Sequence, residues 1–242
     1  MWLGSLGAIS AATAYFLYRV YSDYYTDSGR HAAAEKVMST PLYKGNPVIF
    51  LDVKKDGKKL GRMTFQLRKD VGALRLLLCT QAPSPPLLCA VPETVENFRQ
   101  LFTGECGRSY KGTTFHHILP ANYVVGGNVP AESGKAEAAA GGYFPDENFA
   151  LLHNGAGVLS SASQIRDENG SLFFVTLNKA PNLNGRYVAF GNLLEGDEVL
   201  QAMGSAGDSV GNPTAQVTIA ACGELRLPEG MEGVEPPVAQ QR

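Results

Sequence analysis

The segment YKGTTFHHILPANYVVGGN, residues 110–128, is the most informative part of this 242-residue sequence. Its residues 113–119 are rich in threonine, aromatic and β-branched side chains, which predicts a strand. A proline and then two adjacent glycines follow that strand and indicate turns. Working outward, the same kind of pattern predicts six further strands, at residues 48–53, 63–67, 157–160, 173–177, 187–191 and 216–221.

Other local signals complete the secondary structure. The pair Asp56-Gly57 lies between the first two predicted strands and indicates a hairpin turn. Residues 92–102 have helical periodicity instead, since they begin with a proline, carry apolar side chains on one face and are followed by Gly104. A shorter helix is predicted at residues 197–203. Many short strands with two helices favour a mainly β fold, a closed antiparallel barrel.

The overall composition excludes several classes of function. Lys and Arg number 21 against 23 Asp and Glu, so the net charge is −2 and no nucleic-acid partner is expected. Four cysteines do not form a disulfide framework, and none of them has zinc spacing. The four histidines are too scattered for a confident metal site. We therefore expect neither a metal nor a cofactor.

Several further segments extend the pattern of residues 110–128. They are FPDENFALLHNGAGVLSSAS at 144–163, NGSLFFVTL at 169–177, LNGRYVAFGNLLEG at 183–196 and VTIAACGEL at 217–225. Together with VIFLDVKKDGKKLGRMTFQL at 48–67 and PETVENFRQLFTGECGRSYKG at 92–112, they resemble the cyclophilin family of peptidyl-prolyl isomerases in order and spacing. The resemblance implies a closed eight-stranded antiparallel barrel capped by two helices, in a domain of residues 46–227.

The resemblance also implies a catalytic arginine, held by a glutamine, that donates to the prolyl nitrogen during isomerisation. Rotation about an X-Pro bond crosses a barrier of ~20 kcal/mol because it breaks amide resonance. Here the arginine position is His117 and the glutamine position is Val125. A histidine is shorter than an arginine and offers no planar fork of donors. We therefore expect a degenerate site in which His117 is not functional, and a weak residual isomerase is the alternative.

A peptide-binding groove is implied by the same resemblance. Ala162, Phe174 and Leu183 match the family, whereas Asn182 stands where the family has a tryptophan. Without the tryptophan and the arginine, the family's cyclic-peptide inhibitor should bind poorly. The complete set of predicted groove residues is Asn122, Tyr123, Val125, Ala162, Ser163, Leu172, Phe174, Asn182, Leu183 and Tyr187.

The N-terminal segment lacks charge from residue 2 to residue 18. Seventeen helical residues span about 25 Å, and the span approaches a ~30 Å hydrocarbon core if it extends to Tyr21 with Arg19 reaching the interface. We expect an uncleaved transmembrane anchor at residues 1–22, followed by a polar stalk at 23–45. A cleaved signal peptide and a buried soluble helix are the alternatives, although no basic residue precedes the apolar run.

Two segments do not fit a compact barrel. Residues 71–91, VGALRLLLCTQAPSPPLLCAV, are apolar but contain three prolines, and they look like an insertion between the second strand and the first helix. Cys79 and Cys89 within it either pair or remain free thiols. Residues 228–242 are rich in Pro, Gly and Glu and predict an extended tail. We expect the insertion and the tail to contact other protein subunits; for the insertion, packing on the barrel surface and contact with a bilayer are the alternatives.

These features favour one function over two alternatives. The first hypothesis is a membrane-anchored cyclophilin-like protein that serves as an accessory subunit of a larger membrane complex, attached through residues 2–22. The alternatives are a working isomerase that assists folding at a membrane, and a non-catalytic module that binds proline peptides. A short anchor rich in Gly, Ala and Ser is typical of single-span subunits of the mitochondrial inner membrane, and the endoplasmic reticulum is the alternative location.

Overall fold

The computed structural model describes residues 46–69, 91–163 and 165–225 of the chain. Within these residues the structure has eight strands, two α-helices and a short 3-10 helix at Pro181–Leu183. The helices are α1 (Pro92–Thr103) and α2 (Asp197–Gly204). The strands are β1 (Val48–Lys55), β2 (Lys58–Leu67), β3 (His117–Leu119), β4 (Tyr123–Gly126), β5 (Val158–Ser161), β6 (Phe173–Thr176), β7 (Ala189–Glu195) and β8 (Val217–Leu225).

Several predictions concern other parts of the chain. The predicted anchor (residues 1–22), stalk (23–45) and tail (228–242) lie outside the described residues, as does the insertion (71–91) except for Val91. The Cys79–Cys89 pair lies outside them too. Within the described residues, no helix is both long enough and apolar enough to cross a membrane.

All eight strands belong to one antiparallel sheet, in the order β3-β4-β6-β5-β7-β2-β1-β8. The sheet curls, but its edge strands β3 and β8 form no ladder with each other. Residues 112–115, which precede β3, meet β8 through the Thr114–Thr218 bridge and three backbone hydrogen bonds of 2.7–2.9 Å. The mainly β fold with two helices is thus confirmed, whereas the closed barrel is wrong. The sheet is a half-barrel because the strand predicted at 113–119 divides between two partners, β8 and then β4.

The β1–β2 hairpin forms where the Asp-Gly pair predicted it. Asp56 and Gly57 both have positive φ, 50° and 77°, as the tightest hairpin turns require. The glycine reaches this conformation without steric cost, and aspartate tolerates it better than most residues. The strands on either side are correspondingly longer than the sequence pattern indicated, because they pair up to the turn.

The core lies between the concave face of the sheet and the two helices. Alternate residues of each strand point inward, so that Leu159, Phe173 and Val175 are fully buried. Helix α1 packs onto this face through Phe98, whose ring stacks on Phe190 of β7 with centroids 4.0 Å apart. The opposite, convex face of β3, β4, β6 and β5 is therefore left to form a surface.

A distant carboxylate caps the N-terminus of α1. Val91 provides no side-chain cap. Glu147 instead accepts hydrogen bonds from the backbone N–H groups of Glu93 (3.1 Å) and Thr94 (2.7 Å). These donors have no partner within the helix itself. The cap therefore ties α1 to the loop that runs from Phe144 toward β5 and passes beside the candidate site.

Candidate functional site

A row of four residues crosses the convex face of four neighbouring strands. His117 of β3 lies opposite Val125 of β4, Val125 opposite Phe174 of β6, and Phe174 opposite Ser160 of β5. Directly opposed residues on antiparallel strands point to the same face of a sheet. The register therefore places three predicted site residues, His117, Val125 and Phe174, side by side.

An apolar floor surrounds Phe174. The ring of Phe174 lies 5.6 Å from the Tyr123 ring and 5.4 Å from the Tyr187 ring, the latter edge to face. Leu183, on the 3-10 helix, and Ala180 pack with it and are buried. The structure thus brings together six predicted groove residues: Tyr123, Val125, Ala162, Phe174, Leu183 and Tyr187.

The remaining groove predictions lie around this floor. Asn122 and Asn182 are exposed, the first in the turn before β4 and the second on the 3-10 helix. Ser163 and Leu172 line the adjoining cavity together with Ala162. The asparagines therefore contribute a polar rim, and Asn182 does so where the family resemblance implies a tryptophan.

His117 lies at one edge of the groove. Its ring centroid is 6.0 Å from that of Tyr123, and a Cβ at position 211 would collide with the imidazole, so the ring packs over the Gly211 backbone. Ile118 N–H also donates to the Gly211 carbonyl at 2.8 Å, which fixes β3 to this loop. Within the described part of the chain, the imidazole forms no hydrogen bond. The side chain of Val125, directly opposite, has no polar atom that could orient the imidazole.

A buried histidine supports the floor from below. The His153 ring stacks on Phe174 with centroids 5.6 Å apart and is 0% exposed. Asn184 Oδ1 accepts a hydrogen bond from the backbone N–H of His153 at 2.8 Å and lies 3.0 Å from the ring Nδ1 of the same residue. Because Oδ1 can only accept, Nδ1 carries the proton, and Nε2 accepts from the Ser160 hydroxyl at 2.7 Å. Burial lowers the pKa of His153 to about 4, against the opposing effect of the Asn184 hydrogen bond, so the ring is neutral near pH 7.

A cavity of about 520 Å³ continues the groove beyond Ala162. Both apolar and charged side chains line it, and Tyr143 (45% exposed) and Ile165 (60% exposed) lie at its mouth. Its lining residues are His116, Asn128, Lys135, Ala136, Tyr143, Ala162, Ser163, Ile165, Glu168, Gly170 and Leu172. Ala162 borders both the floor and the cavity, so the cavity adjoins the groove.

Residues 135–143 form one wall of the cavity, and hydrogen bonds with Arg108 and Asn97 hold this wall in place. Arg108 donates to the backbone carbonyls of Glu137, Ala138 and Ala139. Asn97 of α1 accepts from Ala139 N–H at 2.7 Å and donates to the Gly170 carbonyl at 3.0 Å. The wall is therefore held to α1 by hydrogen bonds in addition to packing. At its edge, burial and the neighbouring His117 lower the pKa of His116.

The sequence did not single out the supporting residues. His153 was noted only as one of four scattered histidines, and the cavity residues of the loop at 131–143 carry no motif. Asn184 and Ser160 meet His153 only through the fold, since they are 31 and 7 residues away in sequence. Among the described residues, no group of three or more His, Cys, Asp or Glu side chains could hold a metal ion.

A comparison with protein families agrees with this geometry. Residues 89–224 match the model of the cyclophilin type peptidyl-prolyl cis-trans isomerase/CLD family. The match covers more than half of the 242-residue chain and includes α1, β3 to β7, α2 and nearly all of β8. Strands β1 and β2 precede the matched range, yet they pair within the same sheet.

Proposed function

Because the chain belongs to the cyclophilin-type peptidyl-prolyl isomerase family, we propose that it is a non-catalytic member that docks proteins as a subunit of a membrane complex. One observation carries the non-catalytic part of this proposal. His117 and Val125 face each other across β3 and β4, where the family resemblance implies an arginine and a glutamine. Both polar groups of the catalytic machinery are therefore replaced together.

The chemistry of the reaction explains why these two replacements should lower the rate of isomerisation. As an X-Pro amide rotates, its nitrogen becomes pyramidal and accepts a hydrogen bond that stabilises the transition state. The donor must be held in place before the reaction, and losing one such donor costs on the order of 10²-fold in rate or more. His117 packs over Gly211 and has no partner in Val125, so it supplies no oriented donor to the floor.

The floor itself favours binding. Phe174 and Leu183 form a buried apolar cluster with the partly exposed Tyr123, a lining of the kind that receives a proline ring. His153 fixes Phe174 from below, so little ordering is needed when a ligand arrives. A groove that binds without reacting would be a docking site for a proline-containing segment of a partner, which is the role we assign to it.

The membrane part of the proposal has separate support. The uncharged segment of residues 2–18 suits a single anchor, and the apolar insertion at 71–91 and the tail at 228–242 offer further contact with neighbouring subunits. The composition of the anchor favours the mitochondrial inner membrane, with the endoplasmic reticulum as the alternative.

An isomerase assay combined with a binding titration tests the proposed groove. The full chain in mild detergent should not accelerate X-Pro isomerisation of a reporter peptide, whereas an ordinary cyclophilin in the same detergent should. A proline peptide should nevertheless perturb the tyrosine signals of the groove, and Phe174→Ala should abolish that response. A rate comparable to that of the ordinary cyclophilin would overturn the proposal and establish a membrane-bound isomerase.

The subunit role is tested in the native membrane. Gentle extraction followed by native sizing should place the chain in a large assembly at fixed stoichiometry, and identification of the comigrating proteins would give the compartment. Migration as a small free species would contradict the subunit role and leave the peptide-binding role in place.

A further inference from the structure

The tip of the β1–β2 hairpin is strongly basic. We call Lys54, Lys55, Lys58 and Lys59 the basic tip; they flank the Asp56-Gly57 turn. Half of the eight lysines within the described residues fall in these six positions, although the whole chain has a net charge of −2. Three of the four side chains are exposed and Lys55 is half-buried. The positive charge is thus concentrated at the turn end of the β1–β2 hairpin.

The register places like charges against each other. Lys54 lies opposite Lys59, and Lys55 lies opposite Lys58. Like charges in directly opposed positions destabilise a strand pair. Successive residues of a strand point to opposite faces, so each face of the hairpin carries one of these pairs. The arrangement costs stability in the isolated molecule and surrounds the tip with charge on both faces.

The four lysines outnumber the one carboxylate within the tip, that of Asp56, which keeps its negative charge when it accepts a backbone hydrogen bond. Asp52 is held by Arg62 in a bidentate pair at 2.7 and 2.8 Å, and Asp56 accepts the Gln216 N–H at 2.9 Å. On the other side of β1, the residues opposite Lys54 and Lys55 are Thr218 and Val217. Within the described residues, none of the four lysines forms a salt bridge.

We propose that the basic tip binds the anionic headgroups of a lipid bilayer. Lysines on both faces and at the end of a hairpin suit a plane of mobile anions, which can gather around the tip, better than a fixed acidic surface that meets one face. Each lysine close to an anionic leaflet strengthens binding by about fivefold, and the effect falls off within a Debye length of ~8 Å.

The position of the tip in the chain agrees with this ligand, on the condition that the proposed anchor at residues 1–22 holds. The predicted stalk of residues 23–45 could extend over about 75 Å, whereas β1 separates its end from the tip by only about 26 Å. The tip can therefore reach the surface that the anchor enters, where tethering makes even weak headgroup contacts effective.

Lysine acylation of the full chain tests the proposal. The chain is reconstituted in vesicles of neutral phosphatidylcholine or of phosphatidylcholine with 30% phosphatidylserine, and the acylation rate of each lysine is read by mass spectrometry. The rates at the basic tip should fall about fivefold in the anionic vesicles alone and recover at 0.5 M salt. Lys69, Lys111, Lys135 and Lys179 lie outside the β1–β2 hairpin, provide four internal references and should not change.

Two variants, each of which loses four positive charges, complete the experiment. Lys54→Gln, Lys55→Gln, Lys58→Gln and Lys59→Gln together should abolish any preference of the chain for anionic vesicles. The same four changes at Lys69, Lys111, Lys135 and Lys179 should leave the preference intact. Binding of the chain to neutral vesicles tests the anchor separately, because insertion of the anchor needs no anionic lipid.

Each other result would overturn the lipid proposal. Equal reactivity of the basic tip in both kinds of vesicle would show that headgroups do not contact it. Protection of the tip in both kinds would show that protein covers it. Protection in native membranes but in neither synthetic vesicle would assign the tip to an acidic protein partner.

Discussion

The two faces of strands β3, β4, β6 and β5 differ in what they retain. On the concave face, Phe173, Val175 and Leu159 are fully buried in one continuous core with α1. On the convex face, Phe174 belongs to an apolar floor, and His117 and Val125 lie opposite each other where the family resemblance implies a polar catalytic pair. Adjacent residues of one strand, Phe173 and Phe174, thus serve two different purposes.

The difference shows that fold and chemistry are separable in this sheet. The concave face must fill a closed volume, so that most changes of size there cost stability. The convex face must only present groups to a ligand, and a change from arginine to histidine leaves the core contacts unaffected. A chain can therefore keep the family's sheet while it loses the donor that the reaction needs.

Replacing one phenylalanine on each face gives the largest expected difference. Phe173→Ala should lower the free energy of unfolding by about 3–5 kcal/mol because it leaves a cavity in the core. Phe174→Ala should cost about 3 kcal/mol, the lower end of this range, because Phe174 is buried in a smaller apolar cluster, yet it should abolish peptide binding. Chemical denaturation and a peptide titration measure the two effects. Unchanged peptide binding by Phe174→Ala would contradict the role of this ring in the groove.

A pH titration tests the buried support of the floor. His153 has a pKa of about 4 in the fold against about 6.5 when unfolded, so the unfolded chain binds the extra proton between these values. Stability should therefore fall by up to about 3 kcal/mol as pH drops from 6.5 to 4, and His153→Gln should flatten this region.

Other titrating groups act at a different pH or can be removed separately. Hydrogen bonds from Arg99 lower the pKa of Glu96 to about 2, so the stability that Glu96 contributes is lost only below about pH 4.5. His116, whose pKa is also lowered, can contribute in the histidine range, and His116→Gln is the control for it. An unchanged pH dependence in His153→Gln would show that the pKa of His153 is the same in the folded and the unfolded chain.

Restoring the polar pair would sharpen the comparison. The double variant His117→Arg and Val125→Gln should raise kcat/KM for X-Pro isomerisation by about 10²-fold over the unchanged chain, because it returns an oriented donor. His117→Arg alone should give less, since nothing opposite it would hold the guanidinium. A folded double variant without activity would show that further groove positions, such as Asn122, also prevent catalysis.

The smallest expected effect concerns the rim. Asn182→Trp should tighten the binding of a proline peptide by about fivefold, since an indole would add roughly 40 Å² of apolar contact at an exposed position. Asn178→Trp, also exposed but outside the predicted groove, is the matched control and should leave affinity unchanged. Equal gains from both variants would point to non-specific adhesion.

The strands with strong local patterns were predictable from the sequence. The Asp56-Gly57 turn and the alternation around it located β1 and β2, and a proline start with a helical stripe located α1 to within one residue. Strand β4 was missed by pattern alone, since YVVG is only four residues long and runs directly into a second glycine. Its existence followed only from the eight strands that the family resemblance implied.

Features that depend on distant partners could not be derived in this way. The closed barrel was wrong because closure depends on how residues 112–115 and β8 meet after the sheet has curled. The role of His153 required Ser160 and Asn184, and the α1 cap required Glu147, some fifty positions away. The groove residues came from the family's motifs, whereas nothing in residues 131–143 predicted the cavity wall.

The unclosed edge of the sheet has a consequence for motion. Only three backbone hydrogen bonds, two of which form the Thr114–Thr218 bridge, join residues 112–115 to β8, against eight paired positions between β1 and β2. Local unfolding should therefore begin at this contact between residues 112–115 and β8, which we call the seam. The amides of Gly112 and Phe115 should exchange with deuterium before those of β2. Since His117 lies two residues beyond the seam, a peptide seated in the groove would brace β3 and slow that exchange, which makes the seam a reporter of occupancy.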